Sequence, residues 1–376
     1  MVRPAGKRAT SGATISTRAL NRALLGRQML LERHKLSALD AIERLVGLQA
    51  QVARPPFVGL WTRLHGFDKS ELATALHDRR AVRVTAMRGT LHVMTTGDYI
   101  AMRGAMQPML TRGMQATLRG RGALLEIEAL ESEARKFFGK AAATFEVLRD
   151  HLKVKFPGAD ERAMAYAIRT HVPLVQVPTD ASWAFPAAAD FALADRWLSK
   201  KVSTSATSPE ALVLRYLAAF GPATPADAQA WSGLPALREV FESLRPSLVT
   251  FRDERKRELF DLPHATRPDE DAEAPVRFIP DFDNLVLSHD DRSRIMEDAH
   301  RSRVTLKNLQ VRATFLVDGM VAGTWKSERK RTAAVLVIEP FGSITKRAKA
   351  ALAEEGESLL AFVEPDAKER EVRWAS

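Results

Sequence analysis

Three times along this chain a set of short amphipathic helices runs into a β-hairpin, and few folds accept that order. The pattern is clearest from Ser208 to Pro263. Ser208 and Pro209 stand where an N-cap and a first-turn proline belong in SPEALVLRYLAAF. Gly221-Pro222 ends that helix, TPADAQAWSG begins a second, and Leu234-Pro235 leads into a third, ALREVFESL. SLVTF and LFDLP then flank RDERKRE, a hairpin whose loop carries Arg252, Arg255, Lys256 and Arg257. Helix-turn-helix followed by a wing is the winged-helix order.

The same order opens the chain. STRALNRALLGRQML, SALDAIERLVGL (with Ser37 as cap), FVGLWTRL and KSELATALHDRR read as helices, and AVRVTAM and TLHVMT form a hairpin around Arg88-Gly89. The middle repeats it: helices TFEVLRDHLKVKF and ERAMAYAIRTHV, then VPLVQVPTDASWAF as strand, turn and strand, with the turn at Pro178–Asp180. The last region changes character. VRFIP, ATFLVDGMVAGTW and AAVLVIEPFG read as strands, Asp318-Gly319 as a type I′ turn, TKRAKAALAEEGESLLAF as a helix, and FVEP and EVRWAS as segments that close the sheet. The fold class expected is α+β, mainly helical, with three tandem winged-helix units and a C-terminal β-containing domain. The divisions fall at 1–14 (flexible basic tail), 15–95, 96–142 (helical connector), 143–206, 207–265 and 266–376.

Composition narrows the function. Lys and Arg number 56 against 46 Asp and Glu, a net charge of +10 that favours polyanionic partners. With no cysteine, disulfides and thiolate metal sites are excluded, and the nine histidines are scattered without a metal-binding spacing. No metal or cofactor is expected, since no GxGxxG, GxxxxGK[ST] or GxSxG is present. No apolar run reaches the ~20 residues that span a bilayer. The expectation is a cytoplasmic, nucleoid-associated monomer.

One string is unusual: Gly47-Leu48-Gln49-Ala50-Gln51, closely followed by Arg54-Pro55-Pro56. Residues two apart diverge by about 200° on a helix but share a side in extended chain. The diproline pushes its neighbourhood toward extended geometry, so Gln49 and Gln51 are expected to leave the helix end on one face. Read alone, the string favours two polar residues on a surface turn over a site.

GLQAQxxxPPFxGLWTRL, AVRVTAMRGTLHVMTTGDY, FIPDFDNLVLSHDDRSR and FLVDGMVAGTWK, in this order, resemble the AlkZ/YcaQ superfamily of winged-helix DNA glycosylases. The resemblance implies monofunctional excision of alkylated bases, notably N7-substituted purines and interstrand crosslinks in duplex DNA, and a self-resistance role in some members. One branch carries a catalytic Gln-x-Gln and the other Gln-x-Asp; Gln49 and Gln51 match the AlkZ-like branch. An N7-alkylpurine is already cationic and leaves without an acid, so two neutral amides that hold a water and face the oxocarbenium-like sugar can suffice.

Candidate DNA contacts are Arg54, Arg63, Arg88, His92, Arg255, Arg257, Arg301, Arg303, Lys307 and Arg312, with Asp318, Gly319 and Met320 as a hairpin tip able to probe a groove. Each has a structural alternative: a solvated face, a half-buried histidine, an ordinary turn. Trp61, Trp183, Trp231 and Trp325 read as core. The alternative functions are a non-catalytic winged-helix DNA-binding protein or regulator, and a protein-interaction scaffold. A regulator has no need of the Gln pair.

Overall fold

The computed structural model describes residues 12–119, 121 and 125–375. The first unit comprises β1 (Ala13–Thr14), α1 (Thr17–Arg27), α2 (Ala38–Arg44), β2 (Leu48–Gln49), α3 (Pro55–Trp61), α4 (Lys69–His77), β3 (Ala81–Thr85) and β4 (Leu91–Thr95). The connector is α5 (Thr96–Leu118) and α6 (Ile127–Phe138). The second unit holds α7 (Phe145–Lys155), α8 (Glu161–His171), β5 (Leu174–Gln176), β6 (Phe191–Leu193) and α9 (Ala194–Leu198). In the third, α10 (Glu210–Phe220), α11 (Pro225–Ser232) and α12 (Leu237–Leu244) precede the wing strands β7 (Val249–Arg252) and β8 (Glu258–Asp261). The last region contains β9 (Arg277–Ile279), α13 (Arg301–Val304), β10 (Thr314–Val317), β11 (Met320–Lys330), β12 (Ala333–Pro340), α14 (Lys346–Val363) and β13 (Glu369–Trp374).

Local chemistry explains the boundaries. Ser16, Ser37, Thr144 and Asp160 each accept a backbone N–H in the first turn of their helices. Thr224 and Asp227 close a capping box with Pro225 in the first turn of α11. Asp318 (φ 46°) and Gly319 (φ 79°) are both left-handed, as a type I′ turn requires.

The units are not beads on a string. The wings of the first and second share one sheet of order β2-β4-β3-β5-β6. Ala13 and Thr14, which the sequence places in the tail, pair in parallel with Phe251 and Arg252 of the third wing; the rest of the tail, residues 1–11, lies outside the described residues. Arg27 of α1 donates to both carboxylate oxygens of Asp261 at 2.8 Å, a buried pair that ties the first unit to β8. One core runs from the first wing (Val82, Val84, Met94) through Met102, Met106 and Met109 of α5 to Tyr216, Phe220, Trp231 and Phe241 of the third unit.

Two strand expectations shift. The partner of β5 is Phe191–Leu193, not the segment ending at Phe185, because residues 177–190 form a loop between them. FVEP lies at the end of α14, and only Glu369–Trp374 joins the last sheet, beside β12. Among the described residues no helix is long and apolar enough to cross a membrane.

Candidate active site

The chain reverses after α2 through Val46 (φ 55°) and Gly47 (φ 91°). A Cβ on Gly47 would lie 3.0 Å from Met94 Cγ and 3.1 Å from the Val93 carbonyl, so glycine is what lets β2 settle on β4. The register sets Leu48 opposite Val93 and Gln49 opposite His92. One step on, Ala50 N–H donates to the Leu91 carbonyl at 2.7 Å. The return bond from Leu91 N–H goes to the Gln51 side chain, Oε1 at 3.1 Å. The Ala50 carbonyl is taken instead by Arg83 Nε (2.9 Å), whose Nη2 also reaches the Gln51 carbonyl (3.3 Å).

This is not the flat two-residue repeat that the spacing suggests. Pairing in β2 ends at Gln49, Pro55 and Pro56 serve as the first turn of α3, and the chain bends between. Gln49 is buried and Gln51 exposed. Both side chains still converge on one turn of the first wing, residues 88–91.

Arg88 is the hub of that turn. Held in a left-handed conformation (φ 56°), it donates through Nη2 to Gln49 Oε1 at 2.6 Å and Asn284 Oδ1 at 2.9 Å, and through Nη1 to the Trp231 carbonyl. All three acceptors are neutral. Burial, then the nearby charge of Arg292, pushes its pKa down to about 10. Because the guanidinium can only donate, it fixes which end of the Gln49 amide is the oxygen. His92 is fully buried; its Nδ1 lies 3.1 Å from the Thr90 carbonyl, while Nε2 has no hydrogen-bond partner. A carbonyl only accepts, so Nδ1 carries the hydrogen and Nε2 is a bare acceptor.

Burial and the Arg88 charge push the His92 pKa down to about 3. With the folded value below the unfolded one, the unfolded chain takes up the proton first. His92 therefore costs nothing above about pH 6.5 and destabilises the fold progressively as pH falls toward 3. Between pH 6 and 4, the unfolding free energy of the wild type should fall more steeply than that of His92→Gln, by about 1.4 kcal/mol per pH unit. Denaturant titrations at several pH values measure this, and equal slopes would mean that His92 titrates normally.

The description DNA glycosylase AlkZ-like matches residues 42–362, most of the chain and all of this geometry. The chain belongs to the AlkZ-like DNA glycosylase family. An interstrand DNA cross-link repair glycosylase of Streptomyces sahachiroi is 25% identical over 345 residues, 84% of this chain and 88% of that protein. The solved structure of the Streptomyces sahachiroi DNA glycosylase AlkZ aligns over 96% of this chain and 100% of that one, with a TM-score of 0.76 at 20% identity, so the fold is shared.

Several expected contacts of this AlkZ-like glycosylase are engaged elsewhere. Arg63 is not a surface group: it is fully buried, with Nη1 and Nη2 each 2.9 Å from a carboxylate oxygen of Asp283 and further bonds to the Gln28 and Gly59 carbonyls. The Asp318–Met320 tip keeps Asp318 exposed but is held against α1. Asn21 donates to the Gly319 carbonyl at 2.9 Å, Arg18 and Arg22 hold Asp318, and a Cβ on Gly319 would meet Asn21 and Leu25 at 2.6 Å. The tip is thus docked on α1, which corrects its reading as a probe. Arg303 and Arg312 share Glu339, while Arg301 and Lys307 are exposed. Arg255 and Arg257 lie on the third wing with Asp291 as a common partner. Arg54 donates to Ser327 Oγ at 2.7 Å, joining the segment after Gln51 to β11. Trp231 and Trp325 are core, as the sequence indicates.

Sequence reasoning missed the long hairpin. It ends the strand at Trp325, yet β11 continues to Lys330 and carries Lys326, Arg329 and Lys330 to the turn with β12. The apolar alternation stops at Trp325 because the strand beyond it is solvated, leaving backbone pairing as the only signal. Asn284, the second neutral acceptor on Arg88, was equally silent.

Proposed function

We propose that this glycosylase hydrolyses the N-glycosidic bond of N7-alkylated purines in duplex DNA, including bulky and crosslinked adducts, without forming a covalent enzyme intermediate. The observation that carries the reading is the character of the site. Two amide side chains meet at one wing turn, Gln49 oriented by Arg88 and Gln51 by the Leu91 N–H, and among the described residues no carboxylate bonds to either. Amides hold a water and present oriented dipoles, but they are poor bases. Such a site works when the leaving group is already activated, and N7 alkylation places a positive charge on the purine before the enzyme acts. Each Gln oxygen keeps a second lone pair, which accepts from the attacking water while the oxygen's negative end faces the developing cation at C1′. The relative's name, a cross-link repair glycosylase, supports the bulky end of the substrate range.

The test is selectivity. Under single turnover, duplexes carrying N7-alkylguanine should release the base, and duplexes carrying unmodified guanine should release it at least ~10³-fold more slowly. Comparable rates on both would require a stronger acid–base apparatus and would sink the reading.

A further inference from the structure

Among the described residues four large apolar side chains stand exposed: Val52, Val147, Val154 and Leu309. Leu309 is the largest, 80% exposed, and its φ of 64° is left-handed. It belongs to the turn between α13 and β10, where Thr305 bridges to Val311. Leu306 N–H donates to the Gln310 carbonyl and Leu309 N–H to the Leu306 carbonyl, both at 2.9 Å. Asn308 Oδ1 accepts from the Gln310 N–H at 3.1 Å. This is the bonding of a three-residue hairpin loop, whose left-handed position glycine usually fills. A lone exposed leucine is ordinary. One held in a conformation that suits glycine gains nothing from packing and is strained as well, which marks a functional position.

The turn has a basic collar. Arg301 and Lys307 are exposed and have no ion pair among the described residues. Arg303 and Arg312 share Glu339. Arg292 Nη1 meets Thr305 Oγ1 at 3.3 Å, with Asp290 as a partial counter-charge. Glu297 and Asp298 stand before α13, whereas the turn follows it.

The turn is also tied to the glutamines. Phe282 N–H donates to the Val311 carbonyl at 3.2 Å. Two residues on, Asn284 accepts from Arg88 Nη2, which also donates to Gln49 Oε1. At full extension this route is about 35 Å long, one turn of duplex DNA. Leu309 therefore lies within one duplex turn of the glutamine pair.

We propose that Leu309 is an apolar wedge: Arg301 and Lys307 meet backbone phosphates, and the leucine enters and unstacks one base step within a turn of the lesion. Apolar side chains inserted between base steps are an established way to kink a duplex, and a turn already rigid loses little freedom on entry. The probe that the sequence placed at Met320 is thus assigned to Leu309. This rests on the glycosylase reading for the identity of the polyanion.

The experiment is a stacking scan. A duplex with one tetrahydrofuran abasic analogue carries 2-aminopurine at each position within one turn of the analogue, one position per duplex. Its fluorescence, quenched by stacking, is read at saturating protein. With wild type, one step should brighten several-fold. Leu309→Gly and Leu309→Ala should abolish that signal, and Leu309→Met should keep most of it. The glycine and alanine variants should bind the duplex about three- to tenfold more weakly. Their salt-dependence slope should not change, because no charge is lost. Leu309→Gly should also leave the denaturation midpoint unchanged, since the side chain is solvated and glycine suits the left-handed position. Absence of any brightened step with wild type overturns the proposal. So do glycine and alanine variants that brighten the duplex as wild type does, which would leave Leu309 as a contact for another protein. Failure of wild type to release any adduct would count against the glycosylase reading alone, because the scan requires no chemistry.

Discussion

In Gln49→Ala/Gln51→Ala, single-turnover release of N7-alkylguanine should fall by at least ~10²–10³-fold while affinity for the same duplex changes by less than about threefold. The rate estimate comes from the loss of oriented dipoles that act on charge present only in the transition state. The affinity estimate follows from the contacts removed, since neither glutamine carries a charge that a phosphate would feel. The two single variants should differ. Gln49→Ala leaves the Arg88 guanidinium short of one acceptor in a buried place, so part of its effect is displacement of the turn. Gln51→Ala frees the Leu91 N–H at a part-buried position, where the space left by the exposed Gln51 side chain lets water replace the lost oxygen. A double variant that releases base within tenfold of wild type would leave the pair as a structural turn and move the chemistry elsewhere.

The glutamine pair was legible because its signal is local: two like residues beside a glycine and a diproline. The helices were legible for the same reason, through caps such as Ser37 and Thr224 and a regular apolar period. What the sequence hides is whatever depends on distant segments meeting. Arg88 looks like an exposed wing residue until Trp231 and Asn284 arrive from the third unit and the region beyond it. Arg83 reads as one polar residue in a strand, and its grip on the Ala50 and Gln51 carbonyls exists only because β2 is short. Asp318-Gly319 announces a turn correctly, yet its docking on Asn21 and Arg22 joins positions almost three hundred residues apart. A solvated charge and a buried ion pair are spelled with the same letter, and burial decides between them.

Arg63 makes that point measurable. Arg63→Met should destabilise the fold by about 3–5 kcal/mol, because it leaves Asp283 buried without its partner. A phosphate contact at the same position would predict almost no stability change and a shallower salt dependence of DNA binding. The structure predicts the opposite pair: a large fall in denaturation midpoint, and for the protein that remains folded an unchanged salt slope. Catalysis should suffer too. Asp283 receives both arms of Arg63 and caps the short turn Asn284–Val286, Asn284 accepts from Arg88, and Arg88 orients Gln49. Loosening the first link should therefore lower the rate of base release more than it lowers affinity. The double variant Arg63→Met/Asp283→Leu removes both charges and should recover much of the lost stability, since buried pairs are often replaceable by apolar residues of similar size. If the single variant were as stable as wild type, the pair would have to be solvated, and the rigid link from α3 to the strand that bears Gln49 and Gln51 would not exist.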